Sequence, residues 1–245
     1  HDHSMRVPRP DLSEKFDTPN SCTNCHSGKS AEWAADKVRT WYGRDAEGFQ
    51  GYAAALSAAR AGESSASYQL AELIRDTSSP GIARATALTE LGPTLSPQTI
   101  DVLPIALSDA DPAVRTAAVS ILERTPHDVR VRLGFPMLED PVRMVRIEAA
   151  RVLAVIPLDD IDPERRALLT RVGNEYIAGQ LASSERPEVW TNLGNFYSAK
   201  KDWRKAIEVY RKAIETDPVF VPSYTNLADL YRILNDEASA EEVLR

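Results

Sequence analysis

"GIARATALTEL" at 81–91, "PAVRTAAVSIL" at 112–122 and "RMVRIEAARVL" at 143–153 are three copies of one pattern. Arg84, Arg115 and Arg146 fall 31 residues apart; so do Ala87, Ala118 and Ala149, and so do Leu91, Leu122 and Leu153. Asp111-Pro112 and Asp140-Pro141 open the second and third copies, and proline is tolerated in a first helical turn. A helix pair of this length cannot bury its apolar face alone and must stack on its neighbours. These stretches predict an all-α chain built as a helical-repeat solenoid.

The rest of the composition agrees. Ala, Leu, Arg and Glu dominate, β-branched alternation is weak, and glycine is scarce outside turn positions. With 245 residues, 43% hydrophobic and 27% charged, the chain can hold one to three domains and a substantial core. No run approaches the roughly 18 apolar residues of a membrane-spanning helix. The formal net charge is −7, with Lys and Arg interspersed among Asp and Glu. That leaves no basic face for phosphate neutralisation, so nucleic acid is not an expected partner.

A second register starts near residue 187. Trp190, Leu193, Gly194, Tyr197, Ala206, Tyr210, Ala213 and Pro218 reproduce the W-x2-L-G-x2-Y…A-x3-F…A…P spacing of tetratricopeptide repeats. Adding 34 gives Tyr224, Leu227, Ala228, Tyr231, Ala240 and Leu244, all compatible. Gly194 and Ala228 are expected to let paired helices approach closely. Residues 163–182 are read as a preceding half repeat, with Tyr176 one period before Tyr210. The 31-residue copies, spanning 63–160, resemble HEAT-like repeats, in which D-P-x-V-R-x-x-A is common, although the period here is shorter.

Residues 1–20, "HDHSMRVPRPDLSEKFDTPN", hold three prolines and no sustained periodicity, which predicts an extended arm. Ser30 is placed to cap a helix running to about Tyr42, with Gly43 as its stop. A second helix, "FQGYAAALSAARAG", is expected to end at Gly62. The resulting division is 1–62, 63–160 and 161–245. His1 is not an initiator and the last residues stop inside an amphipathic helix, so the sequence reads as a mature or excised piece of something longer.

"NSCTNCHSGK" at 20–29 contains both cysteines of the chain. C-x2-C-H is the attachment signature of c-type haem. Two thiols at this spacing can add to the two vinyl groups on one edge of a porphyrin, and the histidine that follows can ligate the iron. Cys22 and Cys25 are then the thioether residues and His26 the proximal ligand. A redox dithiol is the first alternative, but such pairs usually open a helix after a strand, and no βαβ pattern exists here. A zinc site needs four ligands; Cys22, Cys25, His26 and His3 supply that number, with an awkward adjacency of Cys25 and His26. Coincidence is the third reading, and it rarely gathers the only two cysteines of a long chain. "GKS" at 28–30 is not a phosphate loop, because Thr23 stands where the pattern needs glycine.

For the sixth iron position the arm offers His3 first and Met5 second. His127 reads as a surface histidine in an inter-repeat turn, and Met137 and Met144 as core. Bis-imidazole ligation implies a low potential and methionine a higher one. Trp33, Trp41 and Tyr42 are expected to pack beside the haem and exclude water.

The stretch "DHSMRVPRPDL…DTPNSCTNCHSGKSAEWAADKVRTWYG" resembles, over residues 2–43, the last haem-binding part of multihaem c-type cytochromes fused to tetratricopeptide repeats. The resemblance implies several haems in the family, against one motif here, and an axial role for His3. It implies a c-type cytochrome that passes single electrons to redox partner proteins, with the repeats holding a protein partner or a second copy. Haem c is attached outside the cytoplasmic membrane, so a periplasmic or extracellular location follows. Nothing in the sequence requires enzyme activity, although a five-coordinate iron acting on a small nitrogen or oxygen species is a third possibility. The alternative from another class is a structural, self-assembling repeat protein without a redox role.

Overall fold

The computed structural model describes residues 8–44 and 49–245, and no strand occurs among them. The chain divides into two compact units, 1–124 and 125–245. His3 and Met5 lie outside the described residues.

The first unit contains α1 (Pro10–Phe16), α2 (Ser21–Cys25), α3 (Ala31–Tyr42), α4 (Ala53–Arg60), α5 (Ala66–Arg75), α6 (Gly81–Leu91), α7 (Val102–Leu107) and α8 (Pro112–Ile121). Helix α1 packs on α3, α4 on α5, α5 on α6, and α6 and α7 both on α8. The extended arm expected over 1–20 is corrected by α1. Pro10 stands in the first turn, where a missing N–H costs nothing. Arg9 donates to both carboxylate oxygens of Asp11, at 2.9 and 2.6 Å. Asp17, in the left-handed region at φ 50°, closes the helix by donating its N–H to the Ser13 carbonyl. The prolines that suggested an arm therefore frame a helix.

The second unit contains α9 (His127–Gly134), α10 (Arg143–Leu153), α11 (Pro163–Leu181), α12 (Pro187–Ala199), α13 (Trp203–Thr216), α14 (Val221–Ile233) and α15 (Glu237–Leu244). The expected half repeat at 163–182 is the single long helix α11, with Tyr176 buried. Among the described residues, no helix is long and apolar enough to cross a membrane.

The 31-residue register has a physical basis in each copy. Ala87, Ala118, Ala149, Leu91, Leu122 and Leu153 are all fully buried. Each register arginine reaches back to the loop before its own helix. Arg84 donates to the Ser79 carbonyl, Arg115 to Asp109 and Ala110, and Arg146 to Asp140 and Pro141. Those loops are shaped by Asp76, Asp109 and Asp140, whose carboxylates accept the N–H two residues on at 3.0, 2.8 and 2.8 Å. Arginine thus ties loop to helix while alanine and leucine fill the layer beneath. Met137 is core as expected, but Met144 is 47% exposed and does not belong to it. His127 is exposed, at the first position of α9 rather than in a turn.

The 34-residue register is equally concrete. Trp190 Nε1 donates to the Ser184 carbonyl at 2.8 Å, and 34 residues later Tyr224 OH donates to the Pro218 carbonyl at 2.8 Å. Lys201 and Asn235 both adopt the left-handed conformation. The next residues, Asp202 and Asp236, donate their N–H groups to the Tyr197 and Tyr231 carbonyls and cap α13 and α15. Leu193, Leu227, Ala206, Ala228, Ala213 and Ala240 are buried. Leu244 is 49% exposed and departs from its expected place.

Candidate functional site

Asn20 initiates the cysteine segment. Its side-chain oxygen accepts the N–H groups of Cys22 and Thr23 at 3.1 and 3.2 Å, capping the short helix α2. Cys22 and Cys25 occupy one turn of that helix, and His26 ends it by donating its N–H to the Cys22 carbonyl. Both thiols are free; Cys22 is half-buried, and Cys25 and His26 are exposed.

The chain then reverses. Lys29 N–H meets the His26 carbonyl at 2.9 Å. Ser30 Oγ accepts Trp33 N–H at 3.1 Å and starts α3, which Gly43 stops in the left-handed region. Both ends of α3 are where the sequence places them. The reversal brings Trp33 over the motif: the His26 and Trp33 ring centroids are 4.9 Å apart, tilted by 57°. The Lys29 ammonium stands 5.8 Å from the Trp33 ring.

The result is a half-open groove of about 260 Å³ lined by Cys22, Cys25, His26, Trp33, Val38 and Trp41, among others. The three motif residues thus share one concavity with two of the three expected aromatics. Tyr42 is not part of its lining and is 73% exposed. Trp41 lines the groove yet is 70% exposed, so its ring is a wall open to solvent. Among the described residues no cluster of three or more His, Cys, Asp or Glu side chains has metal-binding geometry. A larger opening of about 790 Å³ lies between α1 and α4, against Leu12, Phe16, Tyr52 and Leu56. It touches the motif segment only through Asn20 and Ser21 and presents no thiol or imidazole.

In the second unit, polar side chains bind consecutive helices together. Asn195 Oδ1 accepts from Tyr210 OH at 2.6 Å and from Asn226 Nδ2 at 3.0 Å, joining α12, α13 and α14. The Thr191 and Ser223 hydroxyls pair at 2.8 Å in a fully buried position. Burial raises the Tyr210 phenol above its ordinary value and pushes Tyr176 up to about 12. Sequence reasoning missed both links. Thr191 and Ser223 stand 32 residues apart and Asn195 and Asn226 stand 31 apart, so neither pair obeys the 34-residue period that exposed the repeat.

Comparison with known families places tetratricopeptide repeats at residues 187–220 and again at 209–242. No curated protein matches the chain. The repeats at 187–242 are therefore tetratricopeptide repeats, as their spacing predicts, and both lie in the second unit.

Proposed function

We propose that this chain is a helical-repeat scaffold for protein–protein contact whose N-terminal segment carries a covalently attached haem c. The scaffold half is carried by the tetratricopeptide repeats at 187–242. Paired helices of this kind bury one face against each other and leave an extended surface for a partner chain or a second copy. A photo-reactive side chain at exposed Asn192 tests it: one discrete cross-linked species is expected, and none from Glu215. Uncross-linked monomer alone would contradict the reading.

The redox half is favoured by one observation, the gathering of Cys22, Cys25 and His26 on a single groove whose other walls include Trp33, Val38 and Trp41. The donor set fits the group. Two thiols on one helical turn are accessible for thioether formation, and an exposed imidazole follows them. When bound, haem supplies one-electron cycling between Fe(II) and Fe(III). Cys22 and Cys25 would tether it and His26 would hold the iron through a ring nitrogen, with the Trp33 ring against that imidazole. His3 is proposed as a further residue that would hold the iron. A c-type cytochrome exchanging electrons with redox partner proteins follows, in the periplasm or outside the cell. A Soret band that survives acid-acetone extraction is the expected result; a colourless protein made with haem-attachment machinery leaves the scaffold without a redox role.

A further inference from the structure

We infer that Trp33 is the positioning residue of the haem site, its indole fixing the plane in which the His26 imidazole meets iron. The inference rests on the haem reading and goes one residue beyond the attachment motif. That motif alone does not set the ring's rotation. His26 stands outside the helix as the C-cap of α2, at φ −98° and ψ 58°, with an exposed side chain. The torsion that turns an imidazole is broad and has no sharp staggered minima. Metal-bound histidines are generally oriented by a hydrogen-bond acceptor on the second ring nitrogen; the neighbour that the structure places against the His26 ring is the Trp33 indole.

Trp33 is placed for that task by the turn between the two helices. The Lys29–His26 backbone bond and the Ser30 cap bring residue 33 back onto residue 26, leaving the rings 4.9 Å apart. This is the separation at which tilted aromatic rings attract. The core does not explain the indole. Helix α3 buries Ala34 and Ala35, at 2% and 1% exposure, whereas Trp33 is only half-buried. Its large side chain is spent on the groove. The Lys29 ammonium beside the same ring places a positive charge within reach of that site, and charge near an iron centre moves its potential.

The test uses Trp33→Leu and Trp33→Phe in the full chain, with circular dichroism to verify the fold. In the unloaded protein the His26 ring protons should show an upfield ring-current shift by NMR, lost in Trp33→Leu and kept in Trp33→Phe. In the loaded protein Trp33→Leu should change the low-temperature EPR g-values and move the reduction potential, and Trp33→Phe should restore both. Haem attached as in the original chain, with g-values and potential unmoved by Trp33→Leu, overturns the inference and leaves the haem reading standing. Absence of haem from the original chain overturns both.

Discussion

Gly194 lies so close to Tyr210 that a Cβ on the glycine would fall 2.2 Å from the tyrosine Cε1. Helices α12 and α13 therefore touch through a gap that admits no methyl group, with the phenol anchored to Asn195. Gly194→Ala should cost about 2 kcal/mol, the usual scale of forced overpacking, read as a lower denaturant midpoint. Gly173 is the control. Its Cβ would meet only Phe196 Cζ at 3.4 Å, and mid-helix glycine is poorer than alanine by up to about 1 kcal/mol. Gly173→Ala should leave stability unchanged or raise it.

A second close approach couples two repeats of the first unit. A Cβ on Gly81 would fall on the Asp111 carboxylate, which caps α8 through Ala113 N–H at 2.8 Å. Gly81→Ala should push that carboxylate off its cap and lose about 1 kcal/mol. With Asp111 already replaced by Ala, the same change should cost much less. A double-mutant cycle by urea unfolding reads the difference, and strict additivity would refute the coupling.

Arg84 and Asp109 form an ion pair with side chains only 8% and 6% exposed. Arg84→Met leaves a carboxylate buried without its cation, which costs about 3 kcal/mol or more. Arg232→Met breaks the exposed pair with Asp229 and should change stability by less than about 0.5 kcal/mol. Thermal melts of the two variants should separate clearly.

Acid should weaken the fold through its turn and cap carboxylates. Asp11 is held below its ordinary value by Arg9, Asp76 by the Ser78 hydroxyl, Asp162 by the Arg165 N–H and Asp236 by the Ser239 hydroxyl. Each folded-state value lies below the unfolded one. Their contribution is therefore complete above about pH 4 and disappears as pH falls through the folded values. Replacing all four with Asn should lower the melting temperature at neutral pH. It should also flatten its decline between about pH 5 and about pH 3.

How far the sequence discloses this protein depends on whether a feature repeats. Arg84, Arg115 and Arg146 were visible by period alone, and the structure supplies their purpose in loop carbonyls. The tetratricopeptide spacing was legible because Gly194 admits no side chain against Tyr210 and the repeat alanines are fully buried. Helix α1 was not legible: Pro8 and Pro10 signal extension unless one knows that the second occupies a first turn and that Arg9 grips Asp11. The Trp33–His26 contact was missed as a specific pair for a similar reason. It depends on a chain reversal at 26–30, whose outcome no periodicity encodes. Tyr42 falls outside the groove lining at the last position of α3, where its side chain is exposed.

Intact mass of the purified chain, matured in a host with haem-attachment machinery, tests the central claim most directly. A gain of one haem, abolished by replacing Cys22 and Cys25 with Ala, is the predicted result. A mass equal to the polypeptide alone would contradict the redox assignment of Cys22, Cys25 and His26.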